Sequence, residues 1–231
     1  MSITYLDRPV YEFAQVDRLL GLGAGTARRW IDGYERRRKA YLPVVREVTT
    51  GDELVTWGEF VETRLLAAYR DGGVPVLHMR PIVEGLREKF GVRYPLAILQ
   101  PYLDEARRLV YELQERAGLE DSMRLVVEAG TDQLVFASQV KQFESTTDIG
   151  APDVGDDAVA LRVRPLGRGR AVALDPRRKS GQPVVRSVPT DVLAELVRAG
   201  DPVEWVAQQY ELTLDQMLDA LEYERRLTEA A

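Results

Sequence analysis

Cysteine is absent from this chain, which removes disulfides, thiolate-held zinc and cysteine nucleophiles and is compatible with a reducing compartment. Histidine occurs once, at His78, in Val-Pro-Val-Leu-His-Met-Arg. With no second imidazole or thiol to complete a metal set, it reads as a structural or surface residue, not a ligand or base. Lysine is scarce too: Lys39, Lys89, Lys141 and Lys179 are the four among 31 basic residues. No apolar run approaches the ~18 residues of a membrane helix, and no apolar segment follows a basic start at the N-terminus. The expectation is a cytoplasmic protein with no membrane partner. What is present is ordinary globular composition, 45% hydrophobic over 231 residues, enough for one large domain or two to three small modules.

The net charge of −6 conceals three blocks of opposite sign. From Arg28 to Arg46, seven cations (Arg28, Arg29, Arg36, Arg37, Arg38, Lys39, Arg46) stand against Asp32 and Glu35, a net of +5. From Arg162 to Arg186, eight cations stand against Asp175 alone, a net of +7; from Ser187 to Ala231, ten acids outweigh Arg198, Arg225 and Arg226, a net of −7. Such a chain can offer phosphates one surface and a different partner another, although any single run taken alone reads first as a solvated face.

Phe13, Val16 and Leu20 recur at helical spacing with Gly21 at the expected stop, predicting a short amphipathic helix. After Leu22-Gly-Ala-Gly, the segment Thr26-Ala-Arg-Arg-Trp-Ile-Asp-Gly puts Ala27, Trp30 and Ile31 on one face and Arg28, Arg29 and Asp32 on another. Two short helices about a glycine-containing turn, the second showing arginines, form a helix-turn-helix pattern. The basic run from Glu35 to Lys39, with Tyr41-Leu-Pro-Val-Val, predicts a hairpin wing. Thr56-Trp-Gly-Glu59 is a capping box that opens a helix carried by Trp57, Phe60, Val61 and Ala68, and Pro81 opens another carried by Ile82, Leu86 and Phe90 to Gly91. Farther on the pattern is mixed: 109–113 and 123–129 read as strands, 132–144 as helix, 149–157 as a loop and 158–174 as a hairpin. In the last fifty residues, Thr190, Asp201-Pro-Val-Glu204 and Thr213-Leu-Asp-Gln216 mark three helix starts, predicting a second helix-turn-helix-like core.

Enzyme chemistry finds little footing. Gly21-Leu-Gly-Ala-Gly25 looks superficially like a phosphate loop, but that fingerprint needs a preceding strand and here a helix precedes it. No carboxylate pair sits in an apolar setting suited to acid–base work. Asp153, Asp156 and Asp157 lie in a Gly/Pro loop without the glycine and terminal glutamate of a calcium hand. Nothing demands an enzyme, and neither a metal nor a cofactor is implied.

Tyr11 to Gly33, with Thr26-Ala-Arg-Arg-Trp-Ile-Asp-Gly, resembles the MerR-type helix-turn-helix opening, in which a threonine starts the recognition helix and arginines with an aromatic follow. Leu54 to Phe90 is similar to the helices behind such a head. Asp175-Pro-Arg-Arg-Lys-Ser-Gly-Gln-Pro-Val-Val, Thr190-Asp-Val-Leu-Ala, Gly200-Asp-Pro-Val-Glu-Trp-Val-Ala-Gln-Gln-Tyr and Ala220-Leu-Glu-Tyr-Glu are similar to a widespread bacterial domain of unassigned function. The two-part architecture resembles VapB-type antitoxins, encoded beside a PIN-domain ribonuclease toxin. Gln15-Val16, where small residues are usual, and Arg186-Ser-Val-Pro, in place of a Gly-Thr-Arg turn, depart from the pattern. The resemblance implies a type II antitoxin that neutralises the ribonuclease.

The expected fold class is α+β and mostly helical, with a winged helix-turn-helix at 1–50, a mixed α/β region at 51–174 and a three-helix HTH-like domain at 175–231. Thr26, Arg28 and Arg29 are the expected major-groove group on operator DNA, and Arg36, Arg37, Arg38 and Lys39 the phosphate group. Arg28 and Arg29 read equally as an ordinary exposed face. Trp30 and Trp57 read as core. Asp215, Asp219, Glu222 and Glu224 would repel phosphate, so the last helix points to a protein partner. There Arg225 and Arg226 are the candidates to reach the toxin's metal-binding acids, against a reading in which they satisfy neighbouring glutamates and the helix end. One head covers half an operator, so a homodimer is expected, with 57–68 as a candidate seam, although most of those residues read first as core. The alternative is a MerR-like one-component regulator whose middle region binds a small effector.

Overall fold

The computed structural model describes residues 5–71, 75–98, 114–115, 118, 126–129, 133–136, 138–153, 156 and 158–230. The head opens with β1 (Pro9–Glu12), which pairs antiparallel with β4 (Leu54–Thr56) and places Tyr11 opposite Val55. Between these strands lie α1 (Phe13–Leu19), α2 (Thr26–Ile31) and a hairpin of β2 (Tyr34–Arg36) and β3 (Lys39–Tyr41). The wing is thus shorter than expected. The basic run supplies its tip and parts of both strands, while Val44 and Val45 turn back to donate to the Trp30 carbonyl at 2.8 and 3.0 Å.

Helix α3 (Trp57–Asp71) starts where the capping box places it: Thr56 Oγ1 accepts from the Glu59 N–H at 3.3 Å, and Glu59 Oε2 accepts from the Thr56 N–H at 2.9 Å. It is the central helix of the core, with Trp57, Phe60, Val61, Leu65 and Leu66 buried, and Trp57 Nε1 donates to the Ala160 carbonyl at 2.6 Å. The stripe expected as a dimer seam is therefore already used inside the chain. Helix α4 (Arg80–Phe90) has proline in its first turn and ends at Gly91 in the left-handed region. His78 falls in the preceding turn, Val76–Met79, and its side chain lies outside the described residues.

Where 132–144 reads as helix, the structure has β5 (Val126–Ala129) paired with β6 (Gln133–Phe136), followed by α5 (Ser138–Ser145). Leu134, Val135 and Phe136 are good strand formers, and pairing Val126 with Phe136 and Val127 with Val135 overrides the apparent helical period. The strand expected at 109–113 lies outside the described residues. β7 (Thr147–Gly150) pairs with β8 (Val159–Val163), which in turn bridges to Leu174. One core runs from Leu6 to Leu174, so the head and the middle region share it.

The tail is a small sheet in the order β11 (Val188–Pro189), β10 (Val184–Val185), β9 (Val172–Ala173), covered by α6 (Thr190–Arg198), α7 (Val203–Gln209) and α8 (Leu214–Ala230). Its core contains Val172, Leu193, Val206 and Met217. The Thr213/Gln216 box forms reciprocally at 3.2 and 3.1 Å. The other two starts shift by one residue: Pro189 and Pro202 take the cap positions in extended conformation, so Thr190 is helical and buried. Among the described residues no helix is long and apolar enough to cross a membrane.

Head and tail are locked together. The Tyr11 hydroxyl donates to the Gly181 carbonyl at 2.5 Å. Gly181 has φ +78, and a Cβ there would lie 2.7 Å from the Tyr11 oxygen, so both backbone conformation and close approach require glycine.

Candidate nucleic-acid interface

Helix α2 cannot cap itself, because its N-cap is Gly25 at φ 74. The preceding helix does it instead. Asp17, buried in α1, accepts from the Gly25 and Ala27 N–H groups at 2.7 Å each, satisfying first-turn donors and placing a carboxylate at the positive end of the helix. Sequence reasoning missed this residue. The signal was present: a side-chainless cap needs an outside acceptor, and Asp17 is the acid of α1.

Thr26 is buried, and its hydroxyl accepts from Arg29 Nη2 at 2.7 Å. It is placed to orient Arg29 and is not itself exposed for a DNA contact. Arg28 lies exposed over the Phe13 ring at 5.2 Å and is ion-paired with Glu53. Hydrogen bonding to Glu53 raises its pKa further above the ordinary guanidinium value. Arg28 and Arg29 are thus both exposed, each held by a neighbour.

The C-terminal end of α2 is anchored by ionic contacts. Asp32 accepts from Arg46 Nη1 and the Thr50 N–H at 2.8 Å and from the Gly51 N–H at 3.0 Å. Burial opposes its charge, yet these donors hold its carboxyl below the usual range. Arg46 also donates to Glu59 at 2.8 and 3.2 Å and to the carbonyls of Asp52 and Leu54. Arg46, counted with the basic stretch, is therefore internal: it ties α2 to α3.

Gly33 turns the chain from α2 into the wing at φ +76, where a Cβ would lie 2.5 Å from the Tyr41 carbonyl. Tyr34 and Tyr41 pair across the hairpin and stack with ring centroids 4.5 Å apart and planes 2° apart, which stiffens the base. Arg36 faces Lys39 across the strands, and Arg37 and Arg38 form the two-residue tip at φ 52 and 61. Such tips are the ground of Asn-Gly, because positive φ costs other residues about 1–2 kcal/mol each. Two arginines occupy it here. Among the described residues Arg36, Arg37 and Arg38 have no ion pair, and the Lys39 ammonium lies 5.3 Å from the Tyr41 ring.

On the tail, the acids expected to face a partner are largely engaged internally. Arg170 holds Asp219 at 2.5 Å and pairs with Glu222, while Asp219 also accepts from the Ala171 N–H. Arg225 pairs with Glu229 at 2.5 Å and Arg226 with Glu222, each four residues away on α8. The two candidate toxin-binding arginines are satisfied within their own helix. Among their exposed residues α7 and α8 carry three large apolar side chains, Trp205, Leu214 and Leu218, beside charged ones such as Glu204 and Asp215. No group of three or more potential metal ligands occurs among the described residues.

Residues 9–83 match the family described as "Putative DNA-binding HTH domain", and residues 172–223 match "Protein of unknown function (DUF433)". The Mycobacterium tuberculosis "Uncharacterized protein Rv2308" is 40% identical over 230 residues, covering 98% of this chain and 94% of its own length. The protein named "Putative antitoxin VapB45", from the same organism, is 32% identical over 236 residues, 94% of each chain. The crystal structure of Rv2018 from M. tuberculosis superposes with a TM-score of 0.73 at 27% identity, covering 94% of this chain and all of that one.

Proposed function

This chain belongs to the family of the M. tuberculosis proteins Rv2308 and "Putative antitoxin VapB45", with a helix-turn-helix head and a DUF433 tail, and from that premise we propose that it is an antitoxin-type regulator. Its head binds its own operator, and another face holds a PIN-domain ribonuclease. The observation that carries the DNA half is the wing: four consecutive exposed cations, two in costly left-handed conformations, and three of them arginines with no ion pair among the described residues. Backbone strain maintained at an exposed basic tip favours a role outside the fold. Arg28 and Arg29 read base edges, Thr26 orients Arg29, and Arg36 to Lys39 hold phosphates. The partner half rests on the relative's name and on the exposed Trp205, Leu214 and Leu218, with Arg225 and Arg226 as rim residues. No catalytic step is assigned. Two chains serve a symmetric operator through a face other than α3, so scattering should give twice 26.1 kDa on DNA.

Replacing Arg37 with Asn and Arg38 with Gly tests the reading. The double variant relieves the tip and should raise stability by about 1 kcal/mol or more, while the slope of log affinity against log salt becomes shallower by about 2. A more stable protein with unchanged affinity and slope overturns the DNA reading. The one-component alternative also has a specific observation in its favour, a cavity beside the loop that anchors α2.

A further inference from the structure

A cavity of about 340 Å³ opens beside the anchor of α2, walled by Val45, Arg46, Glu47 and Val48 from the connecting loop, by Arg87 from α4 and by Arg93 just beyond it. This volume suits a small molecule. The hydrogen-bonding capacity left unused in its walls is lopsided. Arg46 and Glu59 are consumed by each other and by Asp32, Thr50 and Thr56. Arg87 is more than nine-tenths buried; its Nε donates to the Arg93 carbonyl at 3.0 Å and its Nη2 to the Val45 carbonyl, but its Nη1 has no partner. Arg93 is exposed at the mouth, with Nη1 on Asp7 at 2.9 Å.

A buried guanidinium nitrogen left without an acceptor is costly. The carboxylate that could balance Arg87 is Glu62, 3.5 Å away, but burial pushes its pKa up to about 8, against the lowering by Arg87 and the Leu96 N–H. Of the wall carboxylates, Glu59 is taken up by Arg46 and Glu47 is exposed to solvent, so the buried Arg87 nitrogen still has no acceptor, and Val45 and Val48 supply apolar wall.

We propose that this cavity binds a small molecule bearing an oxyanion, carboxylate or phosphate, held by Arg87 and Arg93 with its apolar body against Val45 and Val48, and that occupancy tunes DNA binding. The route to α2 is short. Arg87 holds the Val45 carbonyl, while the Val45 and Arg46 N–H groups donate to the carbonyls of Trp30 and Ile31 at 3.0 and 3.1 Å. An anion that draws Arg87 away from Val45 shifts the segment on which α2 ends. The binding half stands apart from the DNA reading; the coupling half rests on it.

The test is thermal melting of the full chain in inorganic phosphate and, separately, in succinate, at constant ionic strength made up with sodium chloride. The two arms distinguish the headgroups. At roughly ten times Kd, a single site raises the melting temperature by about 3–6 °C for a chain of this size. The rise should be saturable in at least one arm and absent in Arg93→Gln and Val48→Trp, both substitutions of exposed residues outside the proposed DNA contacts. No saturable rise in either arm overturns the proposal, as does an equal rise in both variants. Fluorescence anisotropy on own-promoter DNA, with and without the active anion, then reads the coupling. A changed affinity in the wild type and none in Arg93→Gln supports it. Saturable anion binding with unchanged DNA affinity overturns the coupling alone, and failure of DNA binding without any anion refutes the DNA reading while leaving the anion site standing.

Discussion

Replacing Arg46 with methionine removes one guanidinium on which two buried carboxylates depend. Asp32 and Glu59 are 5% and 2% exposed, and Arg46 itself is 8% exposed, so water cannot take its place without opening the structure. Burial opposes the charge of Arg46, but hydrogen bonds to Glu59 and Asp32 raise its pKa above the ordinary value, the mark of a charge held by its partners. Deleting one member of a buried pair typically costs about 3–5 kcal/mol, because the other is left uncompensated. Here two are left, so the upper part of that range applies before relaxation. At about 2–4 °C per kcal/mol for a chain of this length, the melting temperature should fall by roughly 10–20 °C. Urea melts at pH 7 measure it directly. Because Asp32 anchors the end of α2, DNA affinity should also fall at temperatures well below the variant's melt. The exposed Arg28–Glu53 pair is the control: Glu53→Gln should leave the urea midpoint unchanged. A loss below about 1 kcal/mol in Arg46→Met would refute the view that this network, and not packing alone, fixes α2.

Glu62 should impose a pH slope. Its raised pKa means that the folded state keeps a proton that the unfolded state has released between its ordinary 4.5 and about 8, so stability falls as pH rises through that window. Glu62→Gln should flatten the urea midpoint across it; a wild-type midpoint that rises from pH 5 to 8 contradicts this. Asp32 acts oppositely: its lowered pKa gives stability present above its ordinary 3.8 and lost as pH falls through the folded value, visible as an acid limb that Asp32→Asn shortens. Arg28→Ala and Arg29→Ala should each weaken specific DNA roughly ten- to hundred-fold relative to random duplex, and equal weakening on both would make them phosphate contacts. Gly181→Ala should raise protease sensitivity near the head–tail contact without altering the wing, and an unchanged digestion pattern would remove the lock.

Features readable in the sequence were those set by neighbours within about four residues. Thr56 with Glu59 and Thr213 with Gln216 are capping boxes that spacing alone reveals, and Arg225 with Glu229 and Arg226 with Glu222 follow the one-turn pairing rule. The helix-turn-helix stood out because its glycines and apolar positions are local. Asp17 and Arg46 stayed hidden because the Gly25 and Ala27 amides, and the Asp32 and Glu59 carboxylates, lie eight or more residues away and depend on tertiary approach. The 132–144 reading failed for a related reason: Gln133 to Phe136 is decided by its cross-strand partner. The wing was legible as a hairpin, but not its Arg-Arg tip, since positive φ at two arginines runs against propensity.

The contact between Tyr11 and Gly181 also bears on inheritance. One residue lies in the first strand and the other about three-quarters of the way along the chain, yet the tyrosine leaves no room for a Cβ at the glycine, and Val172 and Leu174, two positions apart, are buried in opposite cores. No crossover point in the gene separates head from tail without splitting a matched set. Hybrids assembled from two relatives should therefore fold only when both parents carry a compatible pair at these positions, so that the two halves pass together through recombination and a new DNA specificity reaches a given tail by point substitution in α2 and the wing, not by exchange of whole heads.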